Sequence, residues 1–137
     1  MSGTYTRYAE LLPGRCFPEA PHRYAVTAEA VARYRAIFAG APGGEADPLQ
    51  PVPPTFAAVY FRGAKDAVNG PPGGVHVKQS FVFHRPVVIG DVIDTTMTVR
   101  ERYERNGRPC VTFDIHCRDL NGDLVTSGAM VQIWGQE

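Results

Sequence analysis

The 137-residue sequence lacks the charge pattern of a nucleic-acid-binding protein and the apolar run of a membrane protein. Its 14 basic and 14 acidic residues give a formal net charge of zero. A net charge of zero gives no excess positive charge that would attract nucleic acid or an anionic membrane surface. No stretch approaches the roughly 18 consecutive apolar residues of a membrane span, and the first residues lack the apolar segment of a signal peptide. We therefore expect a cytoplasmic protein that binds neither nucleic acid nor membrane.

Cysteine is also scarce, and its spacing excludes the usual motifs. The three cysteines are Cys16, Cys110 and Cys117. An odd, scattered set without C-x-x-C predicts reduced thiols rather than disulfides. The four histidines are His22, His76, His84 and His116. They lack zinc-site spacing with the cysteines, so we predict no metal and no cofactor.

The composition itself is that of a globular domain. Apolar residues make up 44% of the chain and charged residues 20%, which are ordinary values for a folded protein. A chain of this length is sufficient for one proper core. We predict a single domain over residues 1–137.

Two helices are indicated in the first half. Thr27 is a predicted N-cap for a helix over 28–39, with Gly40 at its C-terminal cap. The region 40–54 has no periodicity, and unstructured loops of that length tend to be functional or mobile. A second helix is predicted after it, capped by Thr55, because apolar residues recur from Phe56 at helical spacing. Before the first helix, the proline-rich stretch to Ala25 reads as irregular.

The second half is predicted to be an antiparallel meander. The segment "VHVKQSFVF" (75–83) alternates apolar and polar residues, as do 93–99 and 111–115. Asn106-Gly107 is a strong hairpin signal because both residues tolerate positive φ. Asn121-Gly122 predicts a second hairpin before a last strand. The plan is α+β: an antiparallel sheet with one buried helix.

Three segments together resemble a known family. "FPEAPHRYAVTAEAVARYRAIFAG", "DPLQPVPPTF" and "VHVKQSFVFHRPVVIGDVI" are similar, in order and spacing, to MaoC-like hot-dog proteins, nearest to the N-terminal half of MaoC-type dehydratases and (R)-specific enoyl-CoA hydratases. The resemblance covers roughly residues 12–134 and implies a single hot-dog domain, in which the sheet wraps around a central helix. It also implies a substrate, an acyl or enoyl thioester of CoA or acyl-carrier protein, and reversible hydration as the reaction.

Active members of that family carry Asp-x-Asn-Pro-x-His before the central helix, where aspartate and histidine share acid–base duty. By position the motif falls on Glu45-Ala46-Asp47-Pro48-Leu49-Gln50, of which only Pro48 matches. Gln50 cannot titrate, and a positioned acid–base group contributes roughly 10² to 10⁴ in rate. Standing alone, this site is expected to be disabled. His84 is a further candidate for the missing imidazole.

The resemblance also suggests how substrate would be held. A backbone N–H at the start of the central helix would polarise the thioester carbonyl. Pro54 has no N–H, so Thr55 or Phe56 would have to donate. Phe56 and Tyr60 are predicted core residues, with acyl-chain lining as a second possibility.

Three functional hypotheses stay open. The chain could be a non-catalytic subunit of a hydratase or dehydratase that works with a histidine-bearing partner. It could be a self-sufficient lyase with a rewired Glu45/Asp47 site. It could be a hot-dog thioesterase in which Glu45 activates water. A homodimer or a heterodimer with another hot-dog chain is expected, because pairing buries a sticky sheet edge.

Overall fold

The computed structural model describes residues 4–39 and 50–137. These residues contain five strands, a short 3₁₀ turn (Tyr8–Glu10) and two longer helical regions, in an α+β arrangement. The strands are β1 (Cys16–Ala25), β2 (Val75–Phe83), β3 (Val92–Arg105), β4 (Arg108–Arg118) and β5 (Leu124–Ile133). They form one sheet in the order β1-β3-β4-β5-β2, and every neighbouring pair is antiparallel.

The first helix, α1, spans Ala28–Ala39, as predicted. The Thr27 hydroxyl accepts a hydrogen bond from the Ala30 N–H at 3.1 Å, which confirms its capping role. The predicted C-terminal cap, Gly40, lies outside the described residues.

The second helical region is shorter and more broken than the sequence pattern suggests. A 3₁₀ turn (Pro54–Phe56) leads into α2 (Ala57–Tyr60), and α3 (Arg62–Ala67) follows after Phe61. Thr55 is not its N-cap, because α2 begins after Phe56 without a side-chain cap. None of the described helices is both long and apolar enough to span a membrane.

The prediction that the proline-rich stretch before α1 is irregular was wrong, because most of this stretch forms strand β1. β1 holds Pro18 and Pro21, and its pairing with β3 shifts register between Phe17 and His22. Because β1 is an edge strand, these prolines remove no ladder hydrogen bond that the sheet requires. An edge position with a bulge is where a strand tolerates proline.

The core lies between the sheet and the α2–α3 region. The predicted inward residues Ile93, Met97, Val99, Phe113 and Ile115 are at most 1% exposed. Asn106 and Gly107 have φ of 54° and 75°, and they join β3 to β4 as expected for a tight hairpin. The helix-facing side of the sheet is therefore the apolar one.

Candidate functional site

A cavity of about 370 Å³ lies where the start of α2 meets the end of β2. Two short segments, one before α2 and one after β2, form its walls. A backbone hydrogen bond of 2.7 Å from the Val52 N–H to the Val87 carbonyl joins these segments. The cavity is lined by Pro51, Val52, Pro53, Pro54, Tyr60, Phe83, His84, Arg85, Pro86 and Val87. Its volume and apolar lining are those of a small-molecule site.

Tyr60 is the buried polar group in the cavity wall. Its side chain is 1% exposed, and its hydroxyl lies 2.7 Å from the Thr126 hydroxyl on β5. Burial raises the pKa of Tyr60 to about 12, and the Thr126 hydrogen bond opposes that shift. The phenol is therefore protonated at physiological pH and serves as a fixed polar point in an apolar pocket.

His84 follows β2 and is the one imidazole in the cavity lining. Its Nε2 lies 2.8 Å from the Ser127 hydroxyl on β5, and its backbone N–H donates to the Val125 carbonyl at 2.9 Å. The ring is thus held against the sheet. Nε2 is therefore engaged, and Nδ1 has no hydrogen-bond partner in the part of the chain that the structure describes.

Arg85 places a positive charge in the cavity lining, and two carboxylates of the same chain pair with it. Its guanidinium pairs with Asp91 at 2.9 Å and with Asp119 at 3.4 Å. Asp91 also accepts the Val88 N–H at 2.9 Å. This network fixes the loop between β2 and β3, so Arg85 shapes the cavity mouth as a brace for that loop.

The predicted substrate-binding residues at the helix start occupy different surroundings. Phe56 is fully buried and stacks edge-on against Tyr24 and Tyr34. Its N–H donates to the Pro53 carbonyl at 2.9 Å, so it is not available to a thioester. Thr55 is exposed, and its hydroxyl accepts from the Tyr34 hydroxyl. The Thr55 N–H remains the candidate donor.

Of the six motif positions (residues 45–50), the structure describes only the last, Gln50. Gln50 is exposed in a bend, directly before the lining residue Pro51. Glu45 and Asp47 lie outside the described residues. Within residues 4–39 and 50–137, no group of three His, Cys, Asp or Glu side chains is arranged to hold a metal ion.

The sequence alone did not reveal two features of the site. The first is the contact of Ser127 with His84, which joins residues that are 43 positions apart and so leaves no local sequence signal. The second missed feature is the pairing of Tyr60 with Thr126, 66 positions away. Polar residues at apolar positions of a strand were the available signal, since buried hydroxyls require partners.

Comparison with known proteins gives a short sequence match and a full-length structural one. No protein-family model matches the sequence. A UPF0336 protein of Mycobacterium leprae is 36% identical over 63 residues, which are 46% of this chain and 37% of that protein. The match thus spans little more than a third of the relative's length.

Solved structures match nearly the whole chain at low sequence identity. The C-terminally truncated HadBC complex, a (3R)-hydroxyacyl-ACP dehydratase of Mycobacterium tuberculosis, aligns with a TM-score of 0.70 at 23% identity, covering 88% of this chain and 96% of that one. The R-hydratase PhaJ1 of Pseudomonas aeruginosa aligns with a TM-score of 0.73 at 21% identity, covering 95% and 86%. A thioesterase superfamily member of Thermus thermophilus gives 0.62 at 16%, covering 90% and 82%. The chain therefore has the α+β hot-dog fold, and that fold matches the MaoC-like dehydratases and hydratases that the sequence resembles.

Proposed function

We propose that this chain is the non-catalytic subunit of an enoyl-thioester hydratase or dehydratase. It forms an acyl-binding cavity and pairs with a second hot-dog chain whose intact Asp-x-Asn-Pro-x-His motif supplies the acid and base. The substrate is an acyl or enoyl thioester of CoA or acyl-carrier protein.

One observation carries this proposal: among the described residues, the cavity lining is mostly apolar and lacks the carboxylate–imidazole pair that acid–base catalysis requires. Among the described lining residues, His84 is the one imidazole and no carboxylate is present, while Arg85 is held by two carboxylates outside the lining. The sequence has glutamine at the motif's histidine position. Apolar walls without a complete acid–base pair, as the described part of the chain shows, are what a pocket-forming subunit requires.

The surface of β2 supports the pairing. β2 is an edge strand, bonded on one side to β5. Val75, Val77 and Val82 on it are 50%, 53% and 56% exposed. A long edge with exposed apolar residues is a template for another strand. A partner that adds its own edge strand here would continue the sheet and cover these valines.

The proposal is tested first on the isolated chain. We expect crotonyl-CoA to bind, as measured by titration calorimetry, without loss of the conjugated enoyl-thioester absorbance. Binding should be lost in Phe83→Trp, which fills the cavity, and kept in the control Ile37→Trp, because Ile37 is 73% exposed on α1. Turnover that Glu45→Gln or Asp47→Asn abolishes would instead establish a self-sufficient lyase. Release of free thiol would establish a thioesterase.

A further inference from the structure

The end of β2 opposite the cavity carries a separate polar cluster. His76, near the start of β2, places its Nδ1 3.5 Å from the Lys65 ammonium on α3. Burial, and then the charge of Lys65, lower the pKa of His76, so the ring is neutral at pH 7. The carboxylate beside Lys65 in sequence, Asp66, is turned to Arg62 at 3.8 Å. The Gln79 side chain and the Lys78 backbone also hydrogen-bond the ring and oppose the lowering of its pKa. Because an ammonium can only donate, Nδ1 is the acceptor in the contact with Lys65, and the neutral ring carries its proton on Nε2.

The His76 ring lies on the same face of the sheet as the cavity. His76 is the cross-strand partner of Gln132 on β5, two residues from the buried Met130. At the other end of β2, Phe83 is the partner of Thr126, whose hydroxyl meets Tyr60. Residues opposite one another in a sheet share a face. Both ends of β2 therefore present side chains to the helical side.

Distance prevents His76 from reaching the cavity of its own chain. Phe83, which lines that cavity, is seven positions further along the strand, and at roughly 3.3 Å per residue this is a separation of about 23 Å. An imidazole side chain spans only a fraction of that length. Whatever His76 serves, it is not the cavity beside Phe83 of the same chain.

Antiparallel pairing of two β2 edges removes that separation, because it sets the start of each strand beside the end of the other. The unpaired backbone edge of β2 and its exposed valines favour such a pairing.

We propose that His76 of this chain lines the thioester cavity of the hot-dog chain paired with it, and donates a hydrogen bond from Nε2 to the substrate bound there. This inference rests on the proposed function, because it requires a partner that pairs through β2 and carries the corresponding cavity. It makes His76 a substrate-contacting residue that acts in trans. The chain then contributes a polar group to the partner's site in addition to the wall of its own cavity.

The test uses the complex of this chain with a motif-bearing hot-dog partner, assembled from separately expressed chains. This chain carries ring-labelled histidine and Phe83→Trp, which blocks its own cavity; the partner is unlabelled. His76 signals are assigned with His76→Gln. On addition of crotonyl-CoA we expect the His76 signals to shift, since the ligand can occupy only the partner's cavity. His116 serves as the internal control, because its neighbours Ile115 and Cys117 face the core and it faces away.

A kinetic arm tests the same contact without labels. Replacing His76 with alanine in this chain should raise the KM of the complex for crotonyl-CoA about two- to tenfold, the range for one lost hydrogen bond. His116→Ala should leave KM unchanged. Unmoved His76 signals and an unchanged KM in an active complex would overturn the inference alone. Failure of the chains to pair, or of crotonyl-CoA to turn over in the complex, would overturn the proposed function and this inference with it.

Discussion

At the scale of single residues, Tyr60 combines the core and the site. It is among the largest fully buried side chains, yet it lines the cavity and bonds a fully buried threonine. Because the phenol is protonated at all physiological pH values, the pair is insensitive to pH. Each hydroxyl of the Tyr60–Thr126 pair gives the other a hydrogen-bond partner inside an apolar core. The pair stabilises the fold only while both hydroxyls are present.

Replacing Tyr60 with phenylalanine should therefore destabilise the fold by about 1–2 kcal/mol, because the Thr126 hydroxyl loses its buried partner. Urea unfolding measures the change. Tyr103→Phe is the matched control: Tyr103 is half-buried, and no hydrogen bond of its hydroxyl is found among the described residues. We expect that control to remain within about 0.5 kcal/mol of the parent chain. Equal stability of both variants would contradict this view of Tyr60.

His76 gives a pH dependence with a definite sign. Its pKa in the folded chain is lowered, chiefly by burial and then by Lys65, so the unfolded state binds this proton more readily. Its contribution to stability is therefore present above the ordinary histidine pKa of about 6.5 and is lost as pH falls below it. We expect the free energy of unfolding to fall less between pH 7.5 and 5.5 in His76→Gln than in the parent chain. A steeper fall in the variant would contradict the environment described.

At the scale of elements, the proposed assembly depends on the edge strand β2. Its exposed valines and unpaired backbone edge call for a neighbour. The double variant Val77→Lys/Val82→Lys places charge on that edge and should shift the assembly toward monomer, as measured by sedimentation velocity. Ile37→Lys, at a more exposed apolar position on α1, should leave the assembly intact. A complex with the partner chain that both lysines leave intact would exclude β2 as the interface.

The antiparallel pairing of β5 with β2 depends on one glycine, Gly128. A Cβ at Gly128 would lie 2.1 Å from the Ser80 carbonyl oxygen, which is backbone and cannot move aside cheaply. Gly128→Ala should therefore cost about 2 kcal/mol or more and push β2 away from the sheet. Hydrogen exchange should show loss of protection in β2 while β3 and β4 keep theirs. Uniform protection across all five strands would contradict this role.

Much at this scale could be predicted from sequence, and the exceptions have physical causes. The cap at Thr27 and the Asn106-Gly107 turn are local signals, so they identified α1 and the β3–β4 hairpin correctly. In β2, by contrast, the register shift between His76 and Lys78 moves the alternating pattern to the other face. Val75 and Val77 are therefore exposed, whereas Phe81 packs against Phe61 at 5.5 Å. Bulges depend on the partner strand, which sequence alone does not supply.

At the scale of the whole molecule, the fold agrees with the resemblance more fully than the site does. The order of elements and the alternating strands were sufficient for an α+β antiparallel plan, and the family resemblance supplied the hot-dog fold. The cavity was not predictable, because segments 51–54 and 83–87 meet only through the tertiary pairing of Val52 with Val87. The catalytic roles of Glu45, Asp47 and Gln50 remain predictions.

The central claim is that this chain completes a hydratase or dehydratase without supplying its acid–base pair. The most direct measurement is the turnover of crotonyl-CoA by a motif-bearing hot-dog partner while this chain is titrated into it. We predict that the rate rises and saturates at one chain per partner, and that Glu45→Gln in this chain saturates at the same rate. A turnover rate that does not change when this chain is added, or that Glu45→Gln abolishes, would contradict the account.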